Sequence, residues 1–142
     1  MVSSKNFHIG DNIKHFTIAD IATDNPDFRR VLWTGHHAQT VMMTIPPGEE
    51  IGEEVHDTTD QILTFVAGTG KADLDGETHL IGPGDQCAVP AGARHNFRNT
   101  GDEPLVLYTI YSPPEHAVDS AHATRTKAEA AEAEGRDTPP ES

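Results

Sequence analysis

Short apolar runs separated by turn residues fill the middle of the chain, from about residue 28 to about residue 112. The runs are rich in valine, isoleucine, threonine and aromatic residues, which are enriched in β-strands. Eight runs are long enough to form strands, at residues 29–33, 38–45, 61–68, 71–75, 77–81, 85–90, 95–99 and 104–111. Asp75-Gly76 separates two of these runs and is typical of a two-residue hairpin turn.

Strands at this even spacing, with glycine and proline turns between them, predict an all-β fold of the sandwich, jelly-roll or barrel type. We assign residues 28–114 to this barrel. Residues 1–27 are weakly patterned, and we expect them to add an edge strand or to cover an opening. Residues 115–142 are expected to form a polar tail, partly a short helix without a wide apolar stripe, with a disordered end at RDTPPES.

Length and charge narrow the classes of function. The chain has 142 residues, enough for one domain, and its 10 basic and 23 acidic residues give a net charge of −13. A surface this acidic repels phosphate backbones, so we expect no nucleic acid partner. The apolar runs are too short for a membrane span, the first residues contain no leader-like apolar run, and Cys87 is the only cysteine. These features predict a cytoplasmic protein without an intramolecular disulfide.

One stretch, GEEVHDTTDQ at residues 52–61, places several polar residues where a strand is expected. Alternate residues of a strand point to the same face, so Glu54 and His56 share one side of it. Gln61 begins the next apolar run and returns to the same neighbourhood through the turn DTTD. Taken singly, these residues have ordinary interpretations, with Glu54 in solvent and Gln61 capping a turn. Inside a barrel they form half of a candidate metal site.

Two spaced motifs connect this stretch with a later one. The first reads G-x5-E-x-H-x4-Q-x6-G from Gly48 to Gly68, and the second reads G-x5-P-x-G-x2-H-x3-N from Gly84 to Asn99. Their spacing resembles the two motifs of the cupin superfamily, and the second motif matches at every fixed position. The first motif departs from the family pattern at two positions, since Glu54 stands in place of the usual first histidine and Gln61 in place of the usual glutamate.

The resemblance implies a cupin-type double-stranded β-helix, or jelly-roll barrel, in which Glu54, His56, Gln61 and His95 converge and hold one divalent metal. Two imidazoles with one carboxylate are the ligand set associated with iron(II), and no thiolate is present to select a soft metal. Manganese, iron, nickel, cobalt and zinc all remain open as the native metal. An ordinary core histidine is the competing interpretation of His95.

Three functions follow from this resemblance. The first is a metal-dependent enzyme of the isomerase or tautomerase type, acting on a small oxygenated substrate such as a sugar or uronate. Phosphomannose-isomerase-like cupins and small pectin-degradation cupins also use a glutamine ligand, which favours this function. The second is an iron-dependent dioxygenase, and the third is a cupin that binds a small ligand without catalysis. The resemblance also implies a homodimer, and no catalytic residue is identified.

Some residues beside the motifs are candidates for substrate binding. Arg94 and Arg98 flank His95 and are expected to form surface salt bridges in so acidic a protein, with binding of a substrate carboxylate or phosphate as the alternative. Three strand aromatics are expected to line the core or the pocket wall, namely Phe65, Phe97 and Tyr108. His116, at the end of PPEH after the last strand, is expected to be a surface cap, with folding across the barrel mouth as the alternative.

Overall fold

The computed structural model describes residues 13–140, which form two helices and nine strands. The helices are α1 (Ile18–Asp24) and α2 (Arg125–Ala133). The strands are β1 (Arg29–Thr34), β2 (Gln39–Ile45), β3 (Asp60–Ala67), β4 (Gly70–Leu74), β5 (Glu77–Ile81), β6 (Gln86–Val89), β7 (His95–Asn99), β8 (Leu105–Ser112) and β9 (Ala121–His122). The first eight strands correspond to the eight apolar runs of the sequence, so the all-β prediction is confirmed.

Two antiparallel sheets make up the barrel. The larger sheet has the strand order β6-β3-β8-β2-β1-β9, and the smaller has the order β5-β4-β7. Alternate residues of each strand point inward, and in β8 Leu105, Leu107 and Tyr111 are all buried. The inward side chains of both sheets form one apolar core, which includes Val41, Met43, Ile45, Leu63, Phe65 and Phe97. The antiparallel strand pairing and the strand order within the two sheets fit the jelly-roll prediction.

The turns follow the expected chemistry. Asp75 and Gly76 both have positive φ, 50° and 91°, as a two-residue hairpin turn between β4 and β5 requires. Gly68 ends the first motif with a φ of +85°, and a Cβ there would lie 2.4 Å from the Pro104 carbonyl oxygen. Glycine is therefore needed at this motif position for both conformation and space.

Helix α1 occupies the N-terminal segment where an edge strand was one expectation. The structure shows no edge strand in residues 13–27, and α1 packs on the outer face of the larger sheet through a cluster that includes Ala22, Met42 and Val106. The reason is visible in the sequence, where Ile18, Ile21 and Ala22 follow the spacing of a helix face. Residues 1–12 lie outside the described part of the chain, so the expectation for them is untested.

The short helix expected in the C-terminal segment is present as α2, and the segment packs against the barrel although the helix has no wide apolar stripe. Strand β9 pairs with β1, and α2 buries Ala128 and Ala131, each 1% exposed. Alanine gives little hydrophobic signal in the sequence, but its small side chain allows a helix to approach a surface closely. Asp137 has a side chain that is only 1% exposed and forms an ion pair with Arg29 at 2.9 Å, so the described part of RDTPPES is anchored as well.

Among residues 13–140, neither helix has the length and apolar character needed to cross a membrane.

Candidate metal centre

The backbone brings Glu54 and His95 side by side. The Glu54 N–H donates to the His95 carbonyl at 2.8 Å, and the His95 N–H donates to the Glu54 carbonyl at 3.0 Å. Two residues that exchange both hydrogen bonds in an antiparallel bridge present their side chains on the same face. His56 lies two residues after Glu54 and shares that face. Main-chain pairing therefore gathers three of the four side chains predicted from the motifs.

The three side chains are close enough to share one ion. One potential ligand atom from each of Glu54, His56 and His95 lies within 4.8 Å of the other two. The His56 Nε2 and Glu54 Oε1 atoms are 3.7 Å apart, too far for a good hydrogen bond. The rings of His56 and His95 have centroids 5.3 Å apart. The three side chains are thus close together, and His56 and Glu54 are not joined by a good hydrogen bond.

Each histidine has its Nε2 atom free for a ligand. The His95 Nδ1 lies 3.0 Å from the Ala93 carbonyl oxygen, which can only accept, so Nδ1 carries the proton and Nε2 carries a lone pair. The His56 Nδ1 faces the Glu115 carboxylate at 3.5 Å, which favours the same tautomer. Both Nε2 atoms are buried and have no hydrogen-bond partner among the described residues.

These observations fit a divalent transition metal. A buried polar atom without a partner costs free energy, and such atoms in proteins usually serve a ligand, a water molecule or an ion. Two imidazole nitrogens and a carboxylate form a donor set that suits iron, manganese, nickel, cobalt or zinc.

Gln61 lies on the inner face of β3 and is 2% exposed. Its Nε2 donates to the Thr109 Oγ1 at 3.1 Å, while its Oε1 is buried without a partner among the described residues. Gln61 also pairs across the sheet with Tyr111, whose ring lies edge-on to His56 at 5.7 Å between centroids. The structure therefore places Gln61 at the end of the barrel that holds the histidines.

Burial and neighbouring charges give the members of the centre different proton affinities. Burial raises the pKa of Glu54, and the nearby His56 offsets part of that effect. Burial lowers the pKa of His95, which favours its neutral, ligand-competent form. Burial alone would also lower the pKa of His56, but contact with Glu115 and the charge of Glu54 outweigh burial and raise it.

Glu115 is a site residue that the sequence analysis missed. It follows the last barrel strand in SPPEH, and its side chain returns to His56. Burial would raise the pKa of Glu115, but the hydrogen-bonding contact with His56 lowers it. The residues PPEH come directly after β8, and this position indicated that the segment could cross the barrel mouth. The sequence indicated only His116 for that role.

His116 itself is 4% exposed, and its ring lies 4.9 Å from that of Tyr111 in an edge-on contact. The surface-cap expectation is therefore corrected. His116 turns inward because it has a buried polar partner there. The Asp137 Oδ2 lies 2.6 Å from the His116 Nδ1.

Two of the expected substrate residues do not reach the centre. Arg98 alternates with the inward-facing Phe97 on β7, and so points outward, where it forms two hydrogen bonds with Asp73 at 2.8 and 3.1 Å. Tyr108 alternates with inward-facing residues on β8 and packs in the cluster beneath α1. For Arg98 the contact with Asp73 is the surface salt bridge expected from the sequence, and the strand period explains both placements, since neighbouring residues of a strand face opposite ways.

The other three expected residues lie nearer. Phe65 and Phe97 are core residues with ring centroids 5.7 Å apart, and the Phe97 ring lies 5.9 Å from that of His95. Phe97 is thus an apolar neighbour of one proposed ligand. Arg94 is exposed, lies 3.4 Å from Glu53, and lines a cavity of about 400 Å³ that also borders His95.

A second cavity, of about 190 Å³, lies between the barrel and α2. Its lining consists of Phe28, Arg29, Ile51, Gly52, Glu53, Glu54, Arg125, Ala128, Glu129 and Glu132. The Glu54 side chain is 27% exposed, whereas the Nε2 atoms of both histidines are buried. Glu54 is therefore the proposed ligand through which a molecule in this cavity can reach the centre.

Comparisons with known proteins agree with this architecture. A family model described as a cupin domain matches residues 41–111. The crystal structure of a Bacillus halodurans protein is 38% identical, has a TM-score of 0.84, and covers 85% of this chain and 96% of its own. The uncharacterised protein YrkC of Bacillus subtilis is 41% identical over an alignment of 114 residues, and the match covers 76% of this chain and 61% of YrkC. The matched region thus spans about three fifths of this curated relative.

A relative with a named activity matches a shorter stretch. This protein, 5-nitrosalicylic acid 1,2-dioxygenase of a Bradyrhizobium species, is 34% identical over 67 residues. The match covers 47% of this chain and 32% of the dioxygenase.

Proposed function

The chain belongs to the cupin family, and from that premise we propose that it is an enzyme dependent on one divalent transition metal. Glu54, His56 and His95 hold the metal in this proposal, with Gln61 as a further oxygen donor. The observation that carries the proposal is the pair of buried, unpartnered Nε2 atoms of His56 and His95 beside the Glu54 carboxylate. The family hosts many chemistries, so the reaction has to be argued from the site.

The cavity beneath α2 supports our choice of substrate class. Its volume of about 190 Å³ is below the usual range for drug-sized ligands, and charged residues such as Arg29, Arg125 and Glu132 line it. A small substrate rich in oxygen, such as a sugar or uronate, suits these walls better than a large apolar one. We therefore favour isomerisation or tautomerisation of such a substrate.

A bound divalent metal polarises substrate oxygens and acidifies neighbouring C–H or O–H groups. The chain's own residues orient the ligands and exclude water. The Ala93 carbonyl holds the proton of His95 on Nδ1, so that Nε2 faces the centre. Phe97 beside His95 and the packed core beneath it exclude water from that side.

The test is solvent exchange. Metal-loaded protein is incubated in D2O with small aldoses, ketoses and uronates, and NMR detects deuterium at the carbon next to the carbonyl. We expect incorporation with the wild type and none above background with His95→Ala. The exposed His79→Ala serves as the matched control, since His79 lies outside the centre with a side chain 53% exposed. Absence of exchange with every substrate in the set, despite bound metal, would contradict this function.

A dioxygenase is the second candidate, because two histidines with one carboxylate form the ligand set of many non-haem iron(II) oxygenases. The similarity to a named dioxygenase supports this candidate over a limited stretch. It predicts oxygen consumption only with iron, and with a hydroxylated aromatic acid as substrate. Metal binding with neither exchange nor oxygen consumption would leave a ligand-binding cupin.

A further inference from the structure

A short segment after β8 reaches back to the metal centre. Residues 112–117, called the strap below, follow the last inward-facing residue of β8, Tyr111. Two consecutive strap residues turn to the interior. Glu115 reaches His56, and His116 packs against Tyr111.

The buried amide of Gln39 fixes the backbone of the strap. Gln39 is 0% exposed, and its Oε1 accepts from the N–H groups of Glu115 at 3.2 Å and His116 at 3.0 Å. Its Nε2 donates to the His116 carbonyl at 2.9 Å and to the Thr34 Oγ1 at 3.0 Å. One side chain thus holds three backbone groups of the strap, so the position of Glu115 does not depend on His56.

Asp137 fixes the strap from the other side. Its Oδ1 accepts from the Ala117 N–H at 2.8 Å, and its Oδ2 lies 2.6 Å from the His116 Nδ1 and 2.9 Å from Arg29. The side chains of Asp137 and Arg29 are 1% and 5% exposed. The tail beyond α2 therefore holds the strap against the barrel with buried, charged contacts.

The Glu115 carboxylate is also held by a residue other than His56. Its Oε1 accepts from the Thr59 Oγ1 at 3.0 Å, and Thr59 is 3% exposed. The remaining oxygen, Oε2, lies 3.5 Å from the His56 Nδ1. A carboxylate at this position favours the imidazole proton on Nδ1, which leaves Nε2 facing Glu54 and His95.

We propose that Glu115 is a positioning residue of the metal centre, supplied by the strap after the barrel and acting through the His56 ring. The inference rests on the proposed metal site and adds a function for the segment after β8. In metal sites generally, a carboxylate behind a liganding histidine fixes the ring and raises its basicity. Loss of such a partner typically costs about 10- to 100-fold in metal affinity.

The test is a titration of metal-free protein with cobalt(II), whose visible absorption reports both binding and coordination geometry. We expect Glu115→Ala to bind cobalt(II) about 10- to 100-fold more weakly than the wild type, with altered bands. Glu115→Gln keeps a neutral acceptor of the same size and is expected to fall between the two. Glu77→Ala removes a carboxylate that is 81% exposed and is expected to bind like the wild type.

Thermal unfolding of each metal-free variant separates positioning from folding. Partial rescue by Glu115→Gln, at a melting temperature equal to that of the wild type, supports the inference even when Glu115→Ala folds poorly. Wild-type affinity and bands in both Glu115 variants would overturn the inference and leave the proposed function intact. A wild type that gives no cobalt(II) bands would overturn the proposed metal site, and the inference with it.

Discussion

At the residue scale, Asn99 shows that a motif position need not be a ligand. Its Nδ2 donates to the carbonyls of Ile45 and Glu103, both at 2.8 Å, and its Oδ1 accepts from the Gly101 N–H at 2.9 Å. Asn99 is 2% exposed, so its side chain provides buried hydrogen-bond partners for three backbone groups, one of them at the end of β2. It stabilises the end of β7, the strand that begins with His95.

We therefore expect Asn99→Ala to lower the free energy of unfolding by about 2–3 kcal/mol, because buried backbone groups lose their partners. Urea unfolding measures this change, and cobalt(II) affinity of the folded fraction is expected to match the wild type. Asn99→Asp is the matched variant, since it keeps the acceptor and loses the two donors. A variant of unchanged stability with weakened metal binding would instead assign Asn99 to the centre.

The residue scale also shows what the sequence could and could not predict of the site. Glu54, His56 and His95 were predictable because the strand period and the motif spacing set their directions. Glu115 was not, because its approach to His56 depends on Gln39, a residue more than 70 positions away. Hydrogen bonds from a buried side chain to a distant backbone segment produce no periodic pattern in a sequence.

At the element scale, the strands and the tail differ in how far sequence patterns predicted them. Apolar alternation and turn residues gave all eight barrel strands and the hairpin at Asp75-Gly76. The docking of α2 was missed, because its contact face consists of alanines such as Ala128 and Ala131. A face of small residues has little hydrophobicity to detect, yet it packs closely against a complementary surface.

This packing predicts that Ala128→Leu destabilises the protein. Ala128 is 1% exposed, belongs to the main core cluster and borders the charged cavity beneath α2, so a leucine there has to displace core neighbours or enter that polar cavity. We expect a loss of about 1–3 kcal/mol in the free energy of unfolding, measured in urea. Ala133→Leu, at an exposed position of the same helix, is expected to be close to neutral. Equal stability of the two variants would mean that α2 does not dock as described.

The anchor of the tail predicts a dependence on acid pH. Burial would raise the pKa of Asp137, but the hydrogen bonds from His116 and Ala117 and the charge of Arg29 lower it to about 2. Its usual pKa is about 3.9, so the folded form binds its proton less readily than the unfolded form. Asp137 therefore contributes about 2 kcal/mol of stability above pH 4, and this contribution is lost as the pH falls from about 4 to about 2.

Asp137→Asn removes the titrating group, and urea unfolding of both proteins between pH 6 and pH 2 tests the claim. We expect the wild type to be more stable near pH 6 and its advantage to shrink steadily below pH 4. A constant difference between the two proteins across this range would show that the Asp137 carboxylate does not carry the pH dependence.

At the scale of the whole molecule, the candidate centre lies where separate parts of the fold meet. Glu54 and His95 pair at the edge of the smaller sheet, Gln61 belongs to the larger sheet, and Glu115 comes from the strap. An ion held by Glu54, His95 and Gln61 therefore connects both sheets, and its binding free energy adds to the stability of the fold. The net charge of −13 also favours the approach of a divalent cation.

The most direct test of the central claim is the metal content of protein purified without a nickel column, determined by elemental analysis. The wild type is compared with Glu54→Ala, His95→Ala and the control His79→Ala, all before and after reconstitution with each candidate metal. The account predicts about one transition metal per chain in the wild type and the control, and loss of it in the two ligand variants. No metal in the reconstituted wild type, or full metal content in both ligand variants, would contradict it.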